Sequence, residues 1–277
     1  MRVIVAEDIG FCFGVQRALQ MVNSKVESHE RIYTLGEVVH NKSVIKSLEQ
    51  KGVTVIQDNI PHDARSSVLV IRAHGVPKNQ LQQLRKIFKT VIDTTCPIVM
   101  KLFITAERMH RQGYKIIVFG KKNHPEMQAL SGYVQDAVIT TDPVVLSTKT
   151  CILSQTTMSV KEFRNFVEKS IEISSFKELK IMNTICHVTA KRESQVEEIA
   201  QQSDLVIVLG GKNSSNTSKL AKIASQITRT IHIEEPSEID EFDLSDIKTV
   251  GIVTGTSTPQ EDVKILTEKI LIRREKE

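Results

Sequence analysis

Three cysteines, Cys12, Cys96 and Cys186, stand 84 and then 90 residues apart, and none belongs to a C-x-x-C pair. Local pairs are the usual mark of a structural zinc site, and an intracellular chain keeps its thiols reduced. Thiols this far apart act together only if the fold brings them together. Three converging thiolates suit zinc or an iron–sulfur cluster. A four-iron cluster held by three cysteines leaves one iron open to substrate, so it can serve as a Lewis acid as well as an electron carrier. A structural zinc would want a fourth protein ligand. The plain alternative is that these cysteines are buried fillers. Cys151, the fourth cysteine, sits inside an apolar run and reads as a packing residue.

The chain repeats when it is laid on itself at these spacings. Five residues past each cysteine stand Arg17, Lys101 and Lys191; twenty-four past, Gly36, Gly120 and Gly210; twenty-eight past, His40, His124 and Ser214. The second and third copies run without a gap into Gly-Lys-Lys-Asn-His at 120–124 and Gly-Gly-Lys-Asn-Ser at 210–214. Later in each copy an apolar run ends in polar residues that include His74, Thr156 and Ser257, with offsets that drift.

The elements that must position these residues follow from hydrophobic periodicity. Short apolar runs at 3–5, 32–35, 68–71, 91–92, 116–119, 151–153, 205–209 and 250–253 read as buried strands. They alternate with amphipathic stretches at 15–25, 99–112 and 188–202 that read as helices. The pattern predicts an α/β fold: three similar units with mostly parallel sheets, arranged with pseudo-threefold symmetry around a central cleft. The units are expected at 13–95, 96–183 and 1–12 plus 184–277, the first strand closing the third unit. Polar loops gather beyond the carboxyl ends of parallel strands, where helix N-termini also point.

A cleft lined by His40, His74, His124, Thr156, Ser214, Ser215, Asn216 and Ser257 offers many hydrogen-bond donors and few acids, which suits a bound diphosphate. Taken singly, several of these residues read equally well as helix caps or turn residues. Glu126, after His124-Pro125, is the conspicuous acid; in a dry cleft its pKa would rise enough for it to donate a proton. Thr156 could relay that proton or orient a substrate hydroxyl. Arg17, Lys101 and Lys191 read as solvated helix residues.

Composition sets the class. Forty per cent hydrophobic and 25% charged residues in 277 are enough for a buried core. The net charge of +4 is spread along the chain, and aromatics are 4% with no Trp, so neither a basic stripe nor a stacking platform for nucleic acid is expected. No apolar run approaches a membrane span. A cytoplasmic protein is expected, with no nucleic-acid or membrane partner.

Eight segments together are similar to the 4-hydroxy-3-methylbut-2-enyl diphosphate reductase family. They are Gly10-Phe11-Cys12-Phe13-Gly14-Val15, Glu37-Val38-Val39-His40-Asn41, Ala73-His74-Gly75-Val76, Asp93-Thr94-Thr95-Cys96-Pro97, His124-Pro125-Glu126, Gln155-Thr156-Thr157, Lys212-Asn213-Ser214-Ser215-Asn216 and Gly255-Thr256-Ser257-Thr258-Pro259. They cover nearly the whole chain in the family's order. The resemblance implies the last step of the non-mevalonate isoprenoid pathway: reductive removal of an allylic hydroxyl to give isopentenyl and dimethylallyl diphosphates. It implies a [4Fe-4S] cluster on Cys12, Cys96 and Cys186, whose unique iron meets the substrate hydroxyl. It also implies a diphosphate pocket of His40, His74, His124, Ser214, Ser215, Asn216 and Ser257, catalytic roles for Glu126 and Thr156, and ferredoxin or flavodoxin as electron donor. Phe13 stands where some members carry Ala, a packing difference. Two other functions fit the same thiols: an open-iron hydro-lyase, disfavoured because Arg72 is the only arginine beside the ring, and a zinc-stabilised binding protein.

Overall fold

Among the described residues, the strands fall into three four-stranded sheets in which every pairing is parallel. The structure, a computed structural model, describes residues 1–26, 30–39, 41–57 and 59–275, with side chains described through 272; His40 lies outside the described residues. The chain opens with β1 (Arg2–Val5) and α1 (Phe13–Val26). The first sheet is built from β2 (Ile32–Leu35), β3 (Val53–Ile56), β4 (Val68–Ile71) and β5 (Thr90–Asp93), with α2 (Lys42–Gln50) and α3 (Lys78–Ile87) between strands. After α4 (Pro97–Arg111) come β6 (Lys115–Phe119), α5 (Pro125–Ser131), β7 (Val138–Thr140), β8 (Lys149–Ser154), α6 (Val160–Glu172) and β9 (Glu178–Ile181). After α7 (His187–Gln201) come β10 (Leu205–Leu209), α8 (Ser215–Ser225), β11 (Arg229–Ile233), β12 (Thr249–Thr254) and α9 (Gln260–Glu275).

The sheet orders are β3-β2-β4-β5, β7-β6-β8-β9 and β11-β10-β12-β1. Counted from each sheet's first strand in chain order, all three read second, first, third, fourth, provided β1 takes the fourth place in the last sheet. It does so by pairing Arg2 to Val5 with Thr249 to Ile252 of β12. In the first two sheets connections leave the first and third strands in opposite directions, which sets a switch point between them at the carboxyl ends; in the third, the connection from β10 runs to β11 on one side while the place on the other side of β12 is taken by β1 from the start of the chain.

The central strands are continuous apolar runs because both of their faces are covered. In the third sheet Leu205, Ile207, Leu209 and Ile252 pack under Val263, Leu266 and Ile270 of α9. Val206, Val208 and Val253 point the other way, onto Val196 and Ile199 of α7 and Leu220 of α8. The second sheet is covered likewise: Ile116, Val118 and Leu153 meet Leu102, Phe103 and Ala106 of α4, and Ile117, Phe119 and Ile152 meet Phe163 and Phe166 of α6. Each fully buried side chain of this size contributes about 1.5–3 kcal/mol, so the central strands anchor the sheets and the edges contribute less.

The chain divides into two compact units. One comprises Met1–Val15, Val39–Val44 and His187–Glu277; the other comprises Gln16–Val38 and Ile45–Cys186. Among the described residues no helix is long and apolar enough to cross a membrane.

Candidate active site

Cys12, Cys96 and Cys186 occupy one repeated position. Each follows the fourth strand of its sheet and immediately precedes a helix, α1, α4 or α7. Each donates its backbone N–H to the carbonyl two residues past the third strand of the same sheet: Cys12 to Thr256 at 3.0 Å, Cys96 to Ala73 at 2.9 Å and Cys186 to Thr156 at 2.9 Å. All three are partly exposed and unbridged. Cys151 differs in every respect: it is fully buried in β8, and burial pushes its thiol up to about 11.

The repeated glycines turn the chain out of the first strand of each sheet. Gly36, Gly120 and Gly210 directly follow β2, β6 and β10, and donate to the last carbonyl of the second strand at 2.8, 3.0 and 2.8 Å. The space above Gly120 is filled by the residue after the third strand: an added Cβ would lie 2.9 Å from Gln155 Cβ. Gly210 is also left-handed, at φ +141°, where a side chain would meet Thr258 Oγ1 at 2.6 Å. Four or five residues on, a polar side chain caps the next helix. Asn41 Oδ1 accepts the Val44 N–H at 3.1 Å, His124 Nδ1 accepts the Glu126 N–H at 3.2 Å, and Ser214 Oγ accepts the Thr217 N–H at 3.3 Å. The capping residue in the first copy is thus Asn41, one later than the His40 column.

In the unit that holds residues 45–186, Glu126 is 1% exposed and bonded on both oxygens by one residue. Thr156 donates its N–H to Oε1 at 2.8 Å and its hydroxyl to Oε2 at 2.7 Å. Burial raises the carboxyl pKa to about 7; the two Thr156 bonds pull the other way and are outweighed. The carbonyl of the same Thr156 accepts the Cys186 N–H. His124, whose Nδ1 is taken as an acceptor, keeps its proton on Nε2 and presents it as a donor. The His74 ring stands edge-on to it at 5.3 Å. His74, His124, Glu126, Thr156 and Cys186 thus gather along switch points of the first two sheets.

In the other unit, Ser214 caps α8, and Ser215 and Asn216 are its first two residues. Asn216 is 2% exposed, and neither atom of its amide finds a hydrogen-bond partner among the described residues. Leaving such a group unsatisfied costs about 1–3 kcal/mol, which a ligand's oxygens and hydroxyls would recover. Ser257 lies between Gly255, packed on Thr217, and Thr258, whose hydroxyl donates to the Leu209 carbonyl at 3.0 Å, so it borders the same turn.

Two arginines depart from expectation. Arg17 is not a solvated helix residue: it donates to the carbonyls of Thr94 and Thr95, just ahead of Cys96, at 3.4 Å each. Arg192, which no repeat column singled out, is 4% exposed and donates to Gly10 O at 2.7 Å and Thr254 O at 3.0 Å, bracing the approach to Cys12. Lys191 pairs with Asp8, and Lys101 is exposed. Among the described residues no group of three or more His, Cys, Asp or Glu side chains is gathered tightly enough to hold a metal ion.

The comparisons agree with one another. The sequence pattern of the LytB protein family matches residues 3–271. The 4-hydroxy-3-methylbut-2-enyl diphosphate reductase of Pseudothermotoga lettingae is 58% identical over the full length of both chains. The enzyme of that name from Thermotoga maritima is 45% identical, over 98% of this chain and 96% of its own. A solved structure of (E)-4-hydroxy-3-methyl-but-2-enyl diphosphate reductase, described as the terminal enzyme of the non-mevalonate pathway, aligns with a TM-score of 0.71 at 33% identity, over 98% of this chain and 99% of its own. The Plasmodium falciparum E-1-hydroxy-2-methyl-but-2-enyl-4-diphosphate reductase shares the fold, with a TM-score of 0.87 at 24% identity over 97% of this chain and 87% of its own. With the family pattern spanning all three sheets and relatives matched end to end, the chain belongs to the LytB family.

Proposed function

We propose that this chain reduces 4-hydroxy-3-methylbut-2-enyl diphosphate to isopentenyl and dimethylallyl diphosphates in the cytoplasm, with two electrons from ferredoxin or flavodoxin. The reading includes three units, 13–95, 96–183 and 1–12 with 184–277, set pseudo-threefold around one cleft. Cys12, Cys96 and Cys186 would hold a [4Fe-4S] cluster. The donor set fits: three sulfur ligands at equivalent positions, each partly exposed ahead of a helix N-terminus, beside a fourth cysteine that is buried and protonated. When bound, such a cluster supplies electrons and a Lewis-acidic iron.

The protein's own residues do the rest. His74, His124, Ser214, Ser215, Asn216 and Ser257 are the diphosphate ligands of this reading, with His40 by resemblance. His124 donates through Nε2, and Asn216 brings a buried amide with donor and acceptor both available. Binding the diphosphate fixes the allylic hydroxyl beside Thr156. With its pKa raised to about 7, Glu126 carries its proton in a substantial share of molecules at neutral pH. When Oε2 is protonated its bond to Thr156 Oγ1 reverses, and the threonine hydroxyl is released to donate toward the substrate oxygen. The C–O bond breaks, the oxygen leaves as water, and the allylic carbons take two electrons and one further proton.

The observation that carries this reading is Thr156, whose side chain and N–H hold the acid while its carbonyl holds the Cys186 backbone. Proton donor and sulfur ligand are therefore set by one residue. Glu126→Gln keeps the burial and removes the proton. It is expected to lower turnover by about 100-fold or more while substrate affinity and iron content stay near wild type; near-normal turnover removes Glu126 from the mechanism. In parallel, Cys96→Ser is expected to lose iron and activity, and full iron occupancy with activity sinks the ligand assignment.

A further inference from the structure

The chain visits one unit briefly. Residues 16–38 and 45–186 belong to one compact unit, but 39–44 between them belong with 187–277. That short segment contains Asn41, 6% exposed, and the first residue of α2, Lys42. Opposite it is Glu234, the first residue after β11. The Glu234 carboxylate uses both oxygens: Oε2 accepts from Lys42 Nζ at 2.6 Å, and Oε1 accepts the Lys212 N–H, inside the 210–216 loop, at 2.9 Å.

We propose that Glu234 is a positioning residue for diphosphate binding, fastening the first turn of α2 to the 210–216 loop in a single register. The proposal rests on the reading of Ser214, Ser215 and Asn216 as diphosphate ligands. Glu234 is itself held: its N–H and that of Glu235 donate to Glu238 Oε1 at 2.7 and 2.9 Å. The other Glu238 oxygen takes the Lys212 ammonium at 3.2 Å, so this lysine, although it lies in the loop, is paired with a carboxylate. The loop's other end is fixed by the same strand, through His232 Nε2 to the Gly210 carbonyl at 2.9 Å and the Gly210 N–H to Ile233 O at 2.8 Å. Hydrogen bonding from Lys42 and from the Lys212 backbone holds the Glu234 carboxyl below the usual carboxylate range, so the clasp is charged at neutral pH.

An ion pair with an ammonium this exposed adds little to global stability. What a carboxylate bridging a lysine and a backbone N–H supplies is geometry, and the serine and asparagine that would meet the diphosphate lie two to four residues beyond Lys212. The effect therefore belongs in substrate affinity.

The test is anaerobic steady-state kinetics with 4-hydroxy-3-methylbut-2-enyl diphosphate and a chemical reductant, on Glu234→Gln, Lys42→Met, the double variant and Asn216→Ala. Glu234→Gln and Lys42→Met are each expected to raise KM about fivefold with kcat within twofold of wild type, and the double variant to be no worse than either alone, the mark of one shared interaction. Lys42 is exposed, so its removal leaves folding intact. Asn216→Ala tests the underlying pocket: an unchanged KM there overturns the diphosphate reading and the clasp with it. A raised KM for Asn216→Ala with wild-type KM for Glu234→Gln overturns the clasp alone. So does a loss confined to kcat, or additive effects in the double variant.

Discussion

A carboxylic acid in water gives up its proton near pH 4, too early to serve as a donor at neutral pH. Glu126 escapes this because it is shut away from water while only one residue, Thr156, compensates its charge; burial wins, and the pKa rises to about 7. The sign of the consequence is fixed. The proton-bearing form dominates below about 7, so turnover should fall about tenfold per pH unit above that value, and this alkaline limb should vanish in Glu126→Gln. A kcat that stays flat to pH 9 in the wild type would contradict the donor role. The same shift bears on stability: the native state holds a proton that the unfolded chain loses near 4.5, so Glu126 increasingly destabilises the fold as pH rises from 4.5 toward 7. The His-Pro-Glu turn made Glu126 visible in the sequence, and Thr156 was legible as a residue that could relay its proton. What the sequence did not show is the triple use of the Thr156 N–H, hydroxyl and carbonyl, which depends on contacts thirty residues away in either direction.

At the scale of elements, the turns out of the first strands lead into the proposed ligand residues, and their glycines are fixed by close approach. Gly120→Ala would place a methyl 2.9 Å from Gln155 Cβ and 3.0 Å from Met127 Sδ. Gln155 Oε1 also holds the Lys121 N–H, and Gln155 precedes Thr156, so displacing it disturbs both the turn and the acid's partner. The variant should lose about 1–3 kcal/mol of stability, the range for overpacking a filled site, read as a lowered denaturant midpoint, with turnover reduced as well; wild-type stability would show that the turn has room. Eight strands were legible as apolar runs. The four that were not, β3, β7, β9 and β11, all lie at sheet edges, where one flank lacks a neighbour and sequences such as Glu-Leu-Lys-Ile of β9 alternate with charge. The glycine columns fall at the turn out of each first strand, and in the first copy the helix cap stands at Asn41, five residues past its glycine where the other copies have four. Arg192 left no signal: a buried arginine bonded to two carbonyls looks in sequence like any charged residue on a mixed helix.

Across the whole molecule, one strand order is used three times, and the third use borrows its fourth strand from the start of the chain. That borrowing puts Cys12 after a fourth strand and before a helix, the same place that Cys96 and Cys186 hold. Three equivalent positions, each tied by its N–H to the end of a third strand, are what the proposal of three like sulfur ligands rests on. The central claim of the account is that these three thiols hold one four-iron cluster with an iron left for substrate. It is tested most directly by iron Mössbauer spectroscopy of anaerobically prepared, iron-57-labelled protein, with and without 4-hydroxy-3-methylbut-2-enyl diphosphate. The account predicts three sulfur-ligated irons and one distinct iron whose signal changes when the diphosphate is added. Four equivalent irons indifferent to substrate, or no cluster in a properly reconstituted sample, would contradict it.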